Sequence, residues 1–159
     1  MEIKEELHEV GLSEIKDSDI TATGVLIVNQ FGYILAFARN MKEDKLGLIA
    51  GGREKGEDLR TCAQREAEEE TGLKNLAISA KPFFIRKANV ESRGYCAIFL
   101  AKYNGYGPFP LANQDSTGNP EGYAFWLTPQ EFIDSKRSAF QEFNTELLKK
   151  ADSQGIINL

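Results

Sequence analysis

The sequence predicts a single α+β domain over residues 1–159, in which helices cover both faces of a mixed β-sheet. Short β-branched and apolar segments, separated by turn signals, occupy much of the chain. One long helical segment interrupts these strands near the middle, and another closes the chain. A chain of 159 residues is long enough to bury a core of its own. Strands, a loop-helix unit, more strands and a final helix together imply a sheet sandwiched by helices.

Composition excludes several classes of protein. The chain is 42% hydrophobic and 27% charged, as in ordinary globular proteins. No apolar run approaches the roughly 18 residues of a membrane span, and the acidic N-terminus lacks a signal sequence, so we expect a cytoplasmic protein without membrane contact. A net charge of −5 argues against broad nucleic-acid binding, but it is compatible with a small phosphorylated substrate held by a metal ion.

The first twenty residues give the weakest prediction. Their helical pattern is faint and ends at Gly11. This segment is an arm, a cap or a dimer contact. The sequence does not choose among these roles, and a homodimer is one of the alternatives. His8 is the only histidine, and a lone histidine in a charged segment is usually solvated. Cys62 and Cys96 are expected to be small buried groups rather than a disulfide.

Two strands and a turn are predicted next. Residues 21–28 are β-branched and apolar, and residues 33–38 return as the hairpin partner. Arg39 follows the second strand directly. It could reach a substrate phosphate or pair with a nearby acidic residue. A short strand at 46–49 then leads to a pair of glycines.

The second half of the chain alternates strands with one long loop. Strands are predicted at 76–79 and 83–86, and the long apolar run 95–103 should be central in the sheet. Residues 104–122 form a loop rich in Gly and Pro, and loops of this length are usually functional or disordered. A last strand is predicted at 123–127.

Two helices complete the chain. Residues 128–131 form a capping box with Pro at the first helical position. Residues 138–151 place apolar side chains on one helical face, which predicts a helix packed on the core.

The central helix has an unusual face. It is predicted between Asp58 and Thr71, because no Gly or Pro interrupts this stretch and Gly72 stops it. One face carries, in order, Leu59, Cys62, Ala63, Glu66, Glu69 and Glu70. The first three side chains are apolar or small, but the last three are carboxylates where a core helix would place Leu or Ile.

Carboxylates at these spacings repel one another, so a cation is expected beside them. Oxygen ligands on one helical face suit a hard divalent ion such as Mg²⁺ or Mn²⁺, and no His or Cys cluster favours a softer metal. The alternative is a solvated acidic face, which is the usual role of a glutamate run.

The spacing around this helix resembles a known motif. Gly51 is followed by five residues, Glu57, seven residues and the run REAEEETGL at 65–73. This resembles the Nudix box, G-x5-E-x7-R-E-U-x-E-E-x-G-U with U aliphatic, at every fixed position. Ala67 is smaller than the usual first aliphatic residue, and Ala50 stands where many Nudix sequences have Pro.

The resemblance implies an α/β/α sandwich and a hydrolase that cleaves a nucleoside diphosphate linked to another group. It implies that Glu66, Glu69 and Glu70 bind the cations, with the Gly51 carbonyl as a further oxygen ligand. Glu57 would bind a second cation or pair with Arg65. The resemblance also implies that Arg65 orients the glutamates without touching the substrate.

A general base must take a proton from the attacking water. Glu66 is the candidate within the box. The alternatives on the long loop are Glu121, which we rank second, and Asp115.

Substrate contacts lie outside the box. The candidate phosphate and base contacts are Arg39, Arg86, Lys87, Arg93, Phe37, Tyr95, Phe109 and Trp126. Each of these is equally well explained as a surface cation or a core aromatic. No signature of the ADP-ribose, diadenosine polyphosphate, NADH or coenzyme A subfamilies is found, which favours a nucleoside triphosphate or a nucleotide sugar. The competing hypothesis is a Nudix-fold module that senses a nucleotide without cleaving it.

Overall fold

A computed structural model describes residues 15–38, 46–74, 76–87, 94–106, 123–135 and 141–159. The faint helical pattern at the N-terminus and most of the long loop lie outside these residues. A short 3₁₀ turn, Asp17–Asp19, precedes the first strand. The strands are β1 (Ile20–Asn29), β2 (Ile34–Ala38), β3 (Leu46–Gly52), β4 (Phe84–Lys87), β5 (Tyr95–Tyr103) and β6 (Tyr123–Leu127). The helices are α1 (Leu59–Thr71), α2 (Pro129–Ser135) and α3 (Gln141–Ser153).

The strands form one six-stranded sheet in the order β4-β5-β1-β3-β2-β6. β1 pairs in parallel with β5, and the other pairings are antiparallel. The predicted mixed sheet is therefore confirmed. β1 and β5 are the longest strands and lie inside the sheet, as their long apolar runs require.

Helices cover both faces of this sheet. Successive residues of β1 point to opposite sides, so Val25 and Ile27 belong to the core beneath α1, whereas Leu26 and Val28 belong to the core beneath α2 and α3. The α/β/α sandwich is confirmed. Within the described residues, no helix is long and apolar enough to cross a membrane.

The predicted ends of α1 are confirmed within one residue. Asp58 caps the N-terminus, where its carboxylate accepts a hydrogen bond from the Thr61 amide at 3.2 Å. Gly72 ends the helix in the left-handed conformation with φ 74°, which glycine adopts without strain. The capping box of α2 is also present, because Thr128 and Glu131 exchange hydrogen bonds between side chain and main chain.

Two predictions of the strands differ from the structure. β3 does not end at Ile49 but continues to Gly52, because the main chain of the two glycines pairs with β1. The predicted strand 76–79 is only one isolated bridge, between Ile78 and Ala101. The predicted start of the last helix at Ser138 lies outside the described residues.

Candidate active site

The site begins where β3 passes beneath α1. The Glu66 carboxylate packs directly on the α-carbon of Gly51, and a β-carbon added at Gly51 would lie 2.0 Å from the Glu66 Cδ. Only 8% of Glu66 is exposed. A residue without a side chain is therefore required at Gly51, since any other would displace the carboxylate.

Arg65 joins the acidic side chains. Its Nε and Nη2 donate to the two carboxylate oxygens of Glu57, at 2.8 and 2.9 Å. Its Nη1 donates to Glu66 at 2.9 Å and to Glu69 at 3.3 Å. This planar fork fixes the direction of each carboxylate. Of the two expectations for Glu57, the structure shows the pairing with Arg65.

The three carboxylates of α1 are not equally buried. Glu70 is 1% exposed, and its Oε1 accepts a hydrogen bond from the Ala50 amide at 3.1 Å. Glu66 is also buried, whereas 45% of the Glu69 side chain is exposed. Glu69 therefore lies at the edge of the helical face that the sequence assigned to all three.

Ion pairing controls the charge of this cluster. Hydrogen bonds from Arg65, and then from the Glu54 amide, lower the pKa of Glu57 to about 2. The same pairing with Glu57 raises the pKa of Arg65. Both groups are charged at neutral pH. Arg65 supplies one positive charge against the three carboxylates to which it donates hydrogen bonds, so negative charge remains in excess among these four groups.

Cys62 lies behind this cluster and is fully buried. Its sulfur accepts a hydrogen bond from the Thr23 hydroxyl at 2.9 Å. Burial raises the pKa of the Cys62 thiol, which keeps it neutral. Cys62 and Cys96 are both free, so the cysteines act as small core groups.

Sequence reasoning missed Arg53. Its side chain donates to the main-chain oxygens of Asp17, Ile20 and Glu57 and to the Asp17 carboxylate, at 2.7 to 3.1 Å. Arg53 occupies a position of the motif without a fixed residue type, and Asp17 is 36 residues away. No local pattern could have indicated these contacts.

The predicted substrate contacts are separated by the fold. Arg86 lies on the α3 side of the sheet, 3.8 Å from Glu146, with its guanidinium over Phe84. Tyr95 and Leu59 of α1 pack against one buried cluster, on the side of the carboxylates.

Of the other candidate substrate contacts, three lie within the described residues and the rest lie outside them. Lys87 lies over the Tyr95 ring, 5.5 Å from its centre, Phe37 is 2% exposed within the core, and Trp126 stacks on Tyr103. The candidates outside the described residues are Arg39, Arg93, Phe109, Asp115 and Glu121.

No three His, Cys, Asp or Glu side chains in the described ranges are grouped as ready metal ligands. Arg65 instead engages Glu66 and Glu69. The atoms available as metal ligands are nonetheless all oxygens: those of the α1 carboxylates and the main-chain carbonyl oxygens of the adjacent glycines. Such donors suit Mg²⁺ or Mn²⁺ and not a soft metal.

Comparison with known proteins identifies the chain's relatives. The family model described as NUDIX domain matches residues 19–150. No curated protein matches the chain. The structure is similar to the Ap4A hydrolase of C. elegans, with 19% identity, a TM-score of 0.64, and coverage of 84% of this chain and 98% of that one.

Two further solved structures are similar. A structure of MutT, from work on Aliivibrio salmonicida and Vibrio cholerae, has 18% identity and a TM-score of 0.58, covering 86% of this chain and 98% of that one. The E. coli dihydroneopterin triphosphate pyrophosphohydrolase has 17% identity and a TM-score of 0.54, covering 79% and 94%. At these identities the similarity establishes the fold.

Proposed function

This chain belongs to the Nudix family of pyrophosphohydrolases, and we propose that it hydrolyses a nucleoside diphosphate linked to another group in a reaction that requires Mg²⁺ or Mn²⁺. The observation that carries this proposal is the arrangement around Arg65. One guanidinium holds Glu57, Glu66 and Glu69 in fixed directions, and Gly51 leaves room for the Glu66 carboxylate. A purely solvated acidic face would not need this order.

Electrostatics supports a cation at this place. Burying carboxylates side by side is unfavourable unless positive charge compensates them. Glu66 and Glu70 are buried on one helical face, four residues apart. We propose that Glu66, Glu69, Glu70 and the Gly51 carbonyl hold the cation, and that Glu57 serves Arg65 instead. When bound, the cation would neutralise phosphate charge and make a water molecule more acidic.

The remaining tasks are the positioning of the carboxylates and the removal of a proton from water, and side chains of the protein perform both. Arg65 positions the carboxylates and keeps them from turning away. Glu66 is our candidate for the base that takes the proton from water, because packing on Gly51 fixes its position and a base must be held within hydrogen-bonding reach. Glu121 is the second candidate.

The substrate class is proposed by elimination. A nucleoside triphosphate or a nucleotide sugar is favoured, because the sequence lacks signatures of the dinucleotide and coenzyme subfamilies. The fold does not decide this, since the similar structures include an Ap4A hydrolase and a dihydroneopterin triphosphate pyrophosphohydrolase. The roles of Arg39, Arg86, Arg93 and Tyr95 in substrate binding stay predictions, as does a cytoplasmic location.

A substrate panel with one matched pair of variants tests the proposal. The protein is incubated with nucleoside triphosphates, nucleotide sugars, dinucleotides and capped RNA, with and without Mg²⁺, and products are separated by chromatography. Glu69→Gln should lower kcat by about 10²-fold or more, because losing a charge aimed at the reacting group typically costs a few kcal/mol. Because 45% of this side chain is exposed, the fold should survive.

Glu68→Gln is the control. It removes the same charge from the same helix, but Glu68 bonds Gln64 and is not among the carboxylates that Arg65 contacts. Its kcat should stay near that of the wild type. Equal activity of the wild type and Glu69→Gln would contradict the proposal. Binding of a panel nucleotide without any cleavage would favour the sensing module instead.

A further inference from the structure

Arg53 links three parts of the chain that are distant in sequence. Its Nε donates to the Glu57 carbonyl at 2.7 Å. Its Nη1 donates to the carbonyls of Asp17 and Ile20, at 2.8 and 3.1 Å, and its Nη2 to the Asp17 carboxylate at 2.7 Å. One guanidinium therefore joins the 3₁₀ turn, the start of β1 and the loop before α1.

The main chain of Arg53 is itself fixed. Its amide donates to the Thr21 carbonyl at 2.8 Å, next to the pairing of Gly51 and Gly52 with β1. Only 16% of the side chain is exposed. Arg53 therefore extends from the rigid sheet, and its fork has a defined position from which to hold the loop.

The contact with Glu57 gives Arg53 a role beyond stability. Glu57 accepts two hydrogen bonds from Arg65, and Arg65 also donates to Glu66 and Glu69. The Glu57 side chain can meet this fork only while its main chain is held in place. Asp17 is thus connected to the carboxylates of α1 through Arg53, which holds the Glu57 main chain, and through Arg65, which holds the Glu57 side chain.

We propose that Arg53 is a positioning residue for the Nudix reaction, which fastens Glu57 to the N-terminal turn and thereby keeps Arg65 and its carboxylates aligned for the cation. Arg53 acts through Glu57 and does not touch the substrate. The inference rests on the proposed metal-dependent hydrolysis. It also assigns the Asp17–Asp19 turn to the support of the site.

Substitution of Arg53 tests this role. Arg53→Gln removes the charge and most of the contacts, and Arg53→Lys keeps the charge but cannot span the same acceptors. In both variants the Kd for Mg²⁺, measured by titration calorimetry without substrate, and the Mg²⁺ concentration for half-maximal activity should rise, and kcat should fall, by about tenfold or more, as for other groups that orient metal ligands. KM for the substrate should stay within about twofold, because no substrate contact is lost.

Arg60→Gln is the matched control. Arg60 also donates to two main-chain oxygens, those of Ile78 and Ser79, but it holds the segment after α1 rather than the carboxylates. Its loss should lower Tm and leave the Mg²⁺ requirement unchanged. If Arg60→Gln changes the Mg²⁺ requirement as much as Arg53→Gln does, or if both Arg53 variants stay within twofold of the wild type, the inference is wrong.

A milder variant covers the case in which the Arg53 variants do not fold. Asp17→Ala removes one of the four side-chain hydrogen bonds of Arg53, at an acceptor whose side chain is 67% exposed. It should raise the Mg²⁺ requirement by about threefold, as expected from one such bond. An unchanged requirement would contradict the inference.

Glu69→Gln in the same assay separates the two proposals. If it retains full activity, the proposed function fails. If it is inactive while the Arg53 and Asp17 variants match the wild type, only the role of Arg53 fails.

Discussion

Helices α1 and α3 have the same length and pack on opposite faces of one sheet, but they bury different side chains. Each spans 13 residues. α3 places Phe143, Leu147 and Leu148 in the core. The residues that α1 buries are Cys62, Ala63, Glu66, Ala67, Glu70 and Thr71. α3 also buries Asn144 and Ala151, but its buried face is mainly large and apolar, whereas α1 contributes small groups and carboxylates.

This difference indicates that α3 mainly contributes to stability and that α1 mainly contributes to the active site. Small residues at Ala63 and Ala67 allow α1 to approach the sheet closely, which brings Glu70 to the Ala50 amide and Glu66 to Gly51. Burying those charges costs free energy. The apolar face of α3 offsets part of that cost. We therefore expect substitutions in α3 to change stability, and those around α1 to change activity.

The largest effect is expected from Leu147→Ala. Leu147 is fully buried, and removing such a side chain typically costs about 2–5 kcal/mol of unfolding free energy. Urea denaturation measures the loss, and kcat per folded molecule should not change. Glu142→Ala, at an exposed position of the same helix, should stay within about 0.5 kcal/mol of the wild type. A fall in kcat of the folded Leu147 variant would contradict the expectation that substitutions in α3 change stability and not activity.

Adjacent glycines provide the second test. Gly51→Ala would drive its new β-carbon into the Glu66 carboxylate, but a β-carbon at Gly52 would meet no atom within 4 Å. The Glu66 carboxylate would have to move out of its position beside Arg65. Displacing a reactive group by about 1 Å can cost roughly 10²-fold in rate, so kcat of Gly51→Ala should fall by that order.

Gly52→Ala serves as the control and should keep both kcat and Tm. Steady-state kinetics at saturating Mg²⁺ and thermal melting distinguish the variants. Equal losses at both positions would mean that the strand, and not the Glu66 carboxylate, requires glycine.

Local signals predicted most of the fold. Asp58 and Gly72 determine the ends of α1 through hydrogen bonds and backbone conformation that involve only neighbouring residues. The extension of β3 was missed because its evidence is pairing with β1, and glycines carry no alternating pattern. The segment around Ile78 has strand-like residues but forms only one bridge with Ala101. Its pairing depends on tertiary contacts, which local propensity does not encode.

The candidate site divides in the same way. Motif spacing brought Glu57, Arg65 and the α1 carboxylates together, because a helix and one tight loop determine their positions. Arg53 was missed because its acceptors come from separate segments. The position of Arg86 also depends on tertiary structure, because strand alternation places it beside Glu146 on the α3 side, and its role as a phosphate contact stays a prediction. The catalytic and substrate-binding roles stay predictions.

The smallest expected effect is the loss of stability in acid when Glu57 is protonated. The pKa of Glu57 is lowered from 4.5 to about 2, so its pairing with Arg65 stabilises the fold fully above pH 4.5 and is lost as the pH falls toward 2. The urea midpoints of the wild type and Glu57→Gln should differ by a constant amount near neutral pH and converge below pH 4.5. The effect should be modest, since the cost of desolvating both charges offsets much of the attraction between them.

Glu54→Gln is the control for that titration, because Glu54 is 72% exposed and 3.9 Å from Arg65. Because this contact is long and exposed, its loss should change the urea midpoint little at neutral pH. A wild-type advantage over Glu57→Gln that persists undiminished at pH 2 would contradict the assignment of the lowered pKa to the Arg65 pair. Convergence would show that the pairing of Glu57 with Arg65 weakens in acid, a dependence that the buried face of α3 cannot share because none of its buried residues is charged.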